Sequence, residues 1–381
     1  MKKVLFATTA ASTLLIGGIA SAQGIALFGD ARLGLGYNIN NDGGLLLNDN
    51  GDGGADDLRA ISRVRFGVNM TGETDSGITF GGTIRADNAA GGQGGTTGQS
   101  AGSVFVSGSW GTLTYGDTNG ADEQWVGDVP GDFSLTGMGN FDETPFVSNG
   151  GGYGNSDSIQ FANNPFARPT VRYDFDIAGF GISLSSNRDL TDIVVGAGYS
   201  ADFGGGNFSI GAGYDKFDSF DSTSTGGAQT ITVTDANTGL PTTIVVPGAT
   251  VTNTINSGEQ WSVGLKATYQ KFGFGATWSK IDLDDSNDPN ITVSGGDAQS
   301  LLVGGSYGFD AFSVGAFYQE VLNASGPFED SDGNKAYGLT GQYDLGGGAT
   351  VNAGIANIDG FSGLQDGDSA VVGDFGISMA F

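Results

Sequence analysis

The chain of 381 residues contains no cysteine and no histidine, and it has only eight prolines. Without cysteine there can be neither a disulfide framework nor thiol chemistry. Without histidine the chain lacks the usual general base, the Ser-His-Asp arrangement and the commonest ligand of transition metals. Few prolines suit long paired strands, since proline cannot donate a ladder hydrogen bond. These absences argue against an enzyme, and no cofactor is predicted.

Long apolar runs are missing beyond the first residues. Residues 1–22 have a basic start, an apolar stretch and a small-residue ending that signal peptidase accepts. We therefore predict a secretory signal peptide over 1–22 and one domain over 23–381. Because no later segment offers ~18 consecutive apolar residues, no transmembrane helix is predicted.

Positive charge is scarce and unevenly placed. The chain has 15 lysines and arginines against 42 acidic residues, a net charge of −27. No basic residue occurs within 86–167, within 217–265 or beyond Lys335, where acidic residues are plentiful. This distribution argues against nucleic acid as a partner, because nucleic-acid binding requires clustered basic residues.

Glycine and aromatic residues are abundant instead. The 70 glycines far exceed the usual share of ~7%, but 25 Phe, 11 Tyr and 4 Trp argue against disorder. Apolar residues alternate with small or polar ones, the period-two pattern of strands with two different faces. The pattern predicts sixteen strands, over 24–38, 58–72, 77–88, 101–109, 111–117, 169–176, 179–187, 191–203, 206–217, 258–270, 272–283, 297–309, 311–322, 334–345, 348–358 and 369–381.

The connections between these strands alternate between short and long. Tight turns at one end and long acidic loops at the other are typical of outer-membrane barrels. A soluble β-sandwich would also alternate, but its outer positions are usually charged or branched, whereas here they are often Gly, Ser and Thr. We predict an all-β fold, a 16-stranded antiparallel transmembrane β-barrel with short periplasmic turns and long extracellular loops.

Two stretches and one long segment carry a family resemblance. They are GIALFGDARLGLGYN near the start, GDFGISMAF ending in Phe381, and the long acidic segment 117–168. With the leader and the sixteen strands, the chain resembles the general diffusion porins of Gram-negative bacteria, in particular the alphaproteobacterial, Rhodobacter-type porins. The resemblance implies a passive outer-membrane channel for small hydrophilic solutes and ions, a homotrimer, and a third loop folded into the barrel.

The segment between the fifth and sixth predicted strands is the candidate for that third loop. Loops beyond ~12–15 residues are usually functional or disordered, and several aromatic residues here suggest packing against a surface. Arginines of the early strands are predicted to face the lumen, because lipid at the midplane would cost ~2–4 kcal/mol for such a residue. The candidate constriction residues are Arg32, Arg59, Arg63, Arg65 and Arg85 on the wall, and Asp117, Asp122, Glu123, Asp128, Asp132, Asp142 and Glu143 on the loop.

Acids on the loop opposite arginines on the wall would create a transverse field across a narrow aqueous neck. The Debye length is ~8 Å at physiological salt, so charges lining such a neck act on a passing solute. The excess of acid predicts mild cation selectivity. Alternatively, the arginines only balance nearby acids in salt bridges.

One acidic segment resembles a calcium loop. Asn48, Asn50, Asp52 and Gly53 match four positions of an EF-hand, but Arg59 stands where the bidentate Glu is required. The segment therefore fails as an EF-hand. Loose Ca²⁺ binding by acidic loops, and bridging to lipopolysaccharide phosphates through divalent ions, stay open as expectations.

Three other functions compete with a general porin. A channel selective for sugars or dicarboxylates would share the whole fold. A barrel enzyme, such as a lipase or protease, would need an unusual base because histidine is absent. A surface adhesin could use the Thr-rich segment 218–257, which is predicted to form a small hairpin above the barrel.

Overall fold

The structure is a computed structural model, which describes residues 24–39, 58–88, 100–149, 170–187, 190–225, 229–234, 241–246, 250–360 and 369–381. The predicted signal peptide and the EF-hand-like segment lie outside these residues, so both stay predictions.

Sixteen strands of the described chain form one closed antiparallel barrel, in which the first strand pairs with the last. This confirms the predicted fold class. The barrel strands are β1 (Gly24–Tyr37), β2 (Leu58–Glu73), β3 (Thr79–Asn88), β4 (Ser100–Gly108), β5 (Gly111–Gly116), β6 (Thr170–Ile177), β7 (Phe180–Ser186), β8 (Ile193–Phe203), β9 (Gly206–Phe217), β14 (Gly258–Tyr269), β15 (Phe272–Leu283), β16 (Asp297–Phe309), β17 (Phe312–Leu322), β18 (Lys335–Gly346), β19 (Ala349–Asp359) and β20 (Ser369–Ala380).

Four further strands lie in the Thr-rich segment between β9 and β14. Strand β10 (Phe220–Thr225) pairs with β13 (Thr250–Ile255), and β11 (Gln229–Thr234) pairs with β12 (Pro241–Val246). The segment thus forms two small antiparallel sheets outside the barrel, where one hairpin was predicted.

Period-two alternation places large apolar side chains on the outside of the barrel. On the adjacent strands β18, β19 and β20, Leu339, Ile355 and Phe375 are 66%, 56% and 58% exposed. Soluble proteins rarely expose so continuous an apolar surface to water, whereas contact with lipid favours it. Closure of the sheet pairs the strand edges, as a lipid-facing sheet requires.

The two ends of the barrel differ as predicted. At the periplasmic end the turns are tight, and several use left-handed backbone, for example Ala178 (φ 53°) followed by Gly179 (φ 83°). At the opposite end the connections are long. No helix in the described part of the chain is both long and apolar enough to cross a membrane.

An aromatic row follows the periplasmic end of the barrel from β7 to β18. Its ring contacts include Phe180 with Tyr199 (4.4 Å), Phe272 with Tyr307 (4.5 Å) and Phe312 with Tyr343 (4.5 Å between centroids). Aromatic rings favour the interface between lipid and water. The row therefore marks the periplasmic membrane boundary along these strands.

The connection between β5 and β6 folds into the barrel, as predicted for the third loop. Its described part, residues 117–149, is called the constriction loop below. It contains one short helix, α1 (Ala121–Val126), and 3-10 turns at Met138–Asn140 and Val147–Asn149.

Candidate functional site

The constriction loop lies directly on strand backbone at glycine positions. A Cβ atom on Gly196 of β8 would lie 1.8 Å from the carbonyl oxygen of Ala121, and one on Gly211 of β9 would lie 2.1 Å from that of Trp125. Real Cβ atoms do not approach oxygen so closely, so any other residue would push α1 off the wall. These inward-facing glycines therefore form the surface on which the loop lies, which we call the glycine bed.

The loop follows this bed around most of the barrel. Beyond α1, Cβ atoms on Gly304 of β16 and Gly315 of β17 would each lie 2.1 Å from a loop carbonyl oxygen, those of Pro130 and Gly131. Further on, the side chain of Leu135 contacts β20 and β1. We call the inner face of β6–β9, β14–β20 and β1 the covered arc, and that of β2–β5 the open arc.

Side chains of the covered arc hydrogen-bond to the loop. In β7, Ser185 Oγ accepts from the backbone N–H of Ala121 (2.8 Å), and Ser183 Oγ accepts from Trp125 Nε1 (2.9 Å). In β14, Gln260 accepts from the N–H of Val147 (2.8 Å) and donates to a loop carbonyl. Such bonds satisfy backbone groups that the loop buries.

The far end of the loop packs into an apolar cluster. Met138 and Phe141 are buried among inward-facing residues of several strands and beside Ile39 and Ile61. The rings of Phe141 and Phe317 stack with centroids 6.5 Å apart. Burial of Met138 and Phe141 through the hydrophobic effect therefore fixes this part of the loop, and hydrogen bonds to the wall fix its other parts.

Two of the predicted loop acids face the wall. Asp122 and Glu123 are only 1% and 6% exposed. Asp122 Oδ1 accepts a hydrogen bond from Ser148 Oγ (2.6 Å), which joins the outgoing and returning arms of the loop. Burial raises the pKa of Asp122 to about 6.

The other predicted acids, Asp117, Asp128, Asp132, Asp142 and Glu143, are half-buried. Burial and the nearby carboxylates of Asp132 and Asp128 raise the pKa of Asp142 well above its usual range. Burial also raises the pKa of Asp132 to about 6, against hydrogen bonds from Ser134. These three carboxylates therefore form one acidic group on the loop.

The predicted arginines share the inner face of β1–β3. In register, Arg32 lies opposite Arg63, Asp30 opposite Arg65, and Gly67 opposite Arg85.

Their environments differ. Arg63, Arg65 and Arg85 are half-buried, and Arg59 is exposed near the loop end of β2. Arg63 forms an ion pair with Asp30 (3.3 Å), so one salt bridge of the alternative hypothesis exists. Arg32 is buried and its Nη1 donates to the carbonyl oxygen of Leu135 (3.0 Å), so it contacts the loop.

Sequence reasoning missed three charged residues that contact the loop. Arg172 of β6 donates to the carbonyl oxygen of Asn119 (2.8 Å), Lys266 of β14 interacts electrostatically with Asp128 and Glu123, and Asp374 of β20 accepts hydrogen bonds from the loop. All three occupy inward positions of the alternation, which was the available signal. Whether such residues contact the constriction loop depends on the path of the loop through the barrel, which alternation does not indicate.

In the described ranges, no group of three or more acidic side chains is arranged to hold a metal ion.

Together these features define a class of protein. A closed barrel with an apolar exterior, a polar interior and an inserted loop is an outer-membrane channel. The chain belongs to the Gram-negative porin family, whose pattern it matches over residues 7–361. It is a porin channel rather than an enzyme, and its place is the outer membrane of a Gram-negative bacterium.

Individual relatives agree with this assignment. The chain is 28% identical to the porin of Rhodobacter capsulatus over 369 residues, which covers 94% of this chain and 100% of the relative. Its fold is similar to a porin structure refined at 1.8 Å (TM-score 0.62, 24% identity) and to a triple mutant of Rhodopseudomonas blastica porin (TM-score 0.53, 21% identity). Each comparison covers 94% of this chain and 100% of the other.

Proposed function

We propose that the channel passes small hydrophilic solutes and ions down their gradients, with a mild preference for cations. The neck would lie between the half-buried acids of the constriction loop and the arginines of the open arc. The supporting observation is the opposite charge of the two sides, with Asp128, Asp132 and Asp142 on the loop and Arg63, Arg65 and Arg85 on β2 and β3. Such a field orients polar solutes and slows apolar ones.

Asp122, Glu123 and Arg32 have a different part in this proposal. Because they are buried between loop and wall, they would shape the neck without meeting the solute. The preference for cations then depends on the five half-buried acids, Asp117, Asp128, Asp132, Asp142 and Glu143, which outnumber the half-buried arginines Arg63, Arg65 and Arg85.

The test is the reversal potential of purified protein in planar bilayers under a KCl gradient. We expect the sign of a cation-preferring channel. A clear anion preference would contradict the proposal.

A channel selective for sugars or dicarboxylates is the alternative. The inner face of the open arc carries arginines together with Asn69 and Thr83, and Thr83 donates a hydrogen bond to Asn69. These donors and acceptors do not match the hydrogen-bonding pattern of one particular solute. Liposome swelling with a panel of sugars, amino acids and dicarboxylates separates the two. Rates that fall smoothly with solute size support a general porin, and saturation by one solute supports selectivity.

We also propose that the protein is a homotrimer joined through the outer face of β1–β5. The aromatic row runs from β7 to β18, whereas the outer residues at the periplasmic end of β1 are aliphatic, with Ile25 and Leu27 75% and 69% exposed. Strand β5 has only six residues, against sixteen in β2. Light scattering of the detergent-solubilised protein should give the mass of three chains, and a single-chain mass would contradict a trimer.

Two remaining proposals concern the chain ends and the outer loops. Residues 1–22 would be removed on export, so the first residue of the mature protein found by N-terminal sequencing should be Gln23. Acidic extracellular loops would bind Ca²⁺ loosely and bridge to lipopolysaccharide phosphates. If they do, EDTA should lower the thermal stability of the protein in lipopolysaccharide-containing membranes and leave it unchanged in detergent.

A further inference from the structure

The seam where β1 pairs with β20 has an unusual inner face. Its register places Arg32 opposite Ser378, Gly34 opposite Gly376, and Gly36 opposite Asp374. Two paired glycines therefore lie between a buried cation on one side and a buried anion on the other. Arg32 is 5% exposed and Asp374 is 7% exposed.

Leu135 of the constriction loop contacts all three of these residue pairs. Leu135 Cδ2 lies 2.5 Å from the Cβ position of Gly34 and 2.6 Å from that of Gly376. Its side chain therefore occupies space that any larger residue at either glycine would take. We call this position of the Leu135 side chain, between Gly34 and Gly376, its seat. Because β1 and β20 are the first and last strands of the barrel sheet, the seat forms only when the barrel closes.

The charged rows hold the backbone on both sides of that side chain. Asp374 Oδ1 accepts from the N–H of Leu135 (2.9 Å), and Oδ2 accepts from the N–H (2.8 Å) and the hydroxyl (2.6 Å) of Thr136. Arg32 Nη1 donates to the carbonyl oxygen of Leu135 (3.0 Å). Hydrogen bonds to ionised groups are about twice as strong as neutral ones.

We infer that Asp374 and Arg32 are positioning residues that fix the constriction loop on the barrel seam and so set the width of the neck. The inference rests on the proposed constriction. Arg32 lies opposite Arg63 in register, so the seat adjoins the first arginines of the open arc. A loop released from this seat could move relative to those arginines, and the aqueous neck would vary in width.

The neighbouring strands supply a weaker version of the same contact. Asn352 of β19 donates to the carbonyl oxygen of Phe133 (3.0 Å), and Thr340 of β18 accepts from the N–H of Phe133 (2.9 Å). Both bonds are between neutral groups. Thr340→Val is therefore a comparator that removes a wall contact with the same loop at a strand that does not belong to the seam.

The test is single-channel recording of Asp374→Asn. The substitution replaces one carboxylate oxygen by an amide NH₂ group, so a hydrogen-bond donor of the wall would face an N–H or O–H donor of Leu135 or Thr136. We expect a second, larger conductance level, whose occupancy rises roughly tenfold or more over the wild type, the equivalent of one lost charged hydrogen bond. Thr340→Val should change this occupancy much less. Asp344→Asn removes the same charge at the periplasmic end, where the exposed carboxylate accepts from Gly346 N–H, and should change nothing.

A cross-link separates positioning from a general loss of stability. Thr136→Cys and Asp374→Cys replace two side chains whose oxygen atoms lie 2.6 Å apart, in a chain that has no cysteine of its own. We expect one conductance level in the oxidised protein and return of the second level when a reductant is added to the bilayer chamber. The oxidised form also allows the test if Asp374→Asn alone does not fold.

An unchanged single level in both Asp374→Asn and the reduced cross-link variant would overturn the inference. The wild-type reversal potential tests the cation preference separately. If the wild-type channel shows no preference for cations, the conductance levels of these variants still support or refute the seam inference.

Discussion

The covered and open arcs of the inner wall belong to one barrel sheet but carry different residues. The covered arc offers glycine where the loop backbone touches it, as at Gly196 and Gly211, and short polar side chains beside these points. The open arc has arginines at equivalent inward positions, among them Arg63 and Arg85. Glycine lets the loop backbone approach the strands closely, and the basic residues of the covered arc, such as Arg172 and Lys266, contact the loop beside these points.

We propose that this difference decides where water remains in the barrel. Sixteen strands enclose a wide lumen, and the glycines that the loop contacts lie on the covered arc, so the proposed aqueous neck borders the arginines of the open arc. The inner face of the sheet therefore specifies both the position of the loop and the charge of the opposite side of the channel.

The largest expected effect comes from giving the covered arc a side chain. In Gly196→Ala the new methyl group would lie 1.8 Å from the carbonyl oxygen of Ala121, so α1 must move away from the wall. We expect a higher and noisier single-channel conductance, with a changed fluorescence of Trp125. In the control Gly341→Ala the nearest atom would be 3.8 Å away, and conductance should stay at the wild-type value. Unchanged conductance in Gly196→Ala would contradict the role of the glycine bed.

The next effect concerns charge on the loop side of the neck. Asp132→Asn with Asp142→Asn removes two carboxylates of the acidic group and should reduce the preference for cations. One unit charge at 4 Å in water is worth ~1 kcal/mol, or roughly fivefold in ion occupancy. Reversal potentials in a KCl gradient measure the change. The matched control Glu329→Gln with Asp330→Asn removes two exposed extracellular charges and should have little effect. Equal shifts in both would show that selectivity does not arise at the neck.

A smaller effect is expected from pH. Burial raises the pKa of Asp132 to about 6, so this carboxylate gains a proton as pH falls through that region. The cation preference should therefore decline between pH 7.5 and pH 5. Ordinary exposed carboxyls would change it only nearer pH 4. In the double variant Asp132→Asn, Asp142→Asn the reversal potential should be nearly constant over this range.

The smallest effect is on stability at the back of the loop. Burial raises the pKa of Asp122 to about 6 from 3.8, so the folded protein binds a proton more readily than the unfolded chain. The charged form costs stability above that pKa, and the cost disappears as pH falls below it. Asp122→Asn should raise the midpoint of thermal unfolding at pH 7.5 by a few degrees and flatten its dependence on pH between 4 and 7. A lowered midpoint would mean that the carboxylate stabilises the loop.

Most of the barrel could be predicted from the sequence, because alternation is a local property. The bounds of β9, β15 and β16 coincide with the predicted ones, and other barrel strands differ by one or two residues. Alternation also predicted which residues face inward. It did not indicate which inward residues lie beneath the loop, since this depends on contacts between distant parts of the chain.

The loop acids show the same limit. Asp122 and Asp132 belong to one acidic segment, yet Asp122 is buried against the wall and Asp132 is half-exposed. Asp374 was passed over because a single acid in a strand carries no local sign that it accepts hydrogen bonds from a loop 238 residues away. These assignments required the path of the loop in space.

The most direct test of the two arcs uses single cysteines, because the chain has none. Thr83 lies on the inner face of the open arc and is half-buried, whereas Ser262 lies behind α1 and is 3% exposed. A charged methanethiosulfonate reagent added to open channels should reduce the current through Thr83→Cys and leave that through Ser262→Cys unchanged. Block of Ser262→Cys with no effect on Thr83→Cys would contradict the account, because the aqueous path would then run on the other side of the loop.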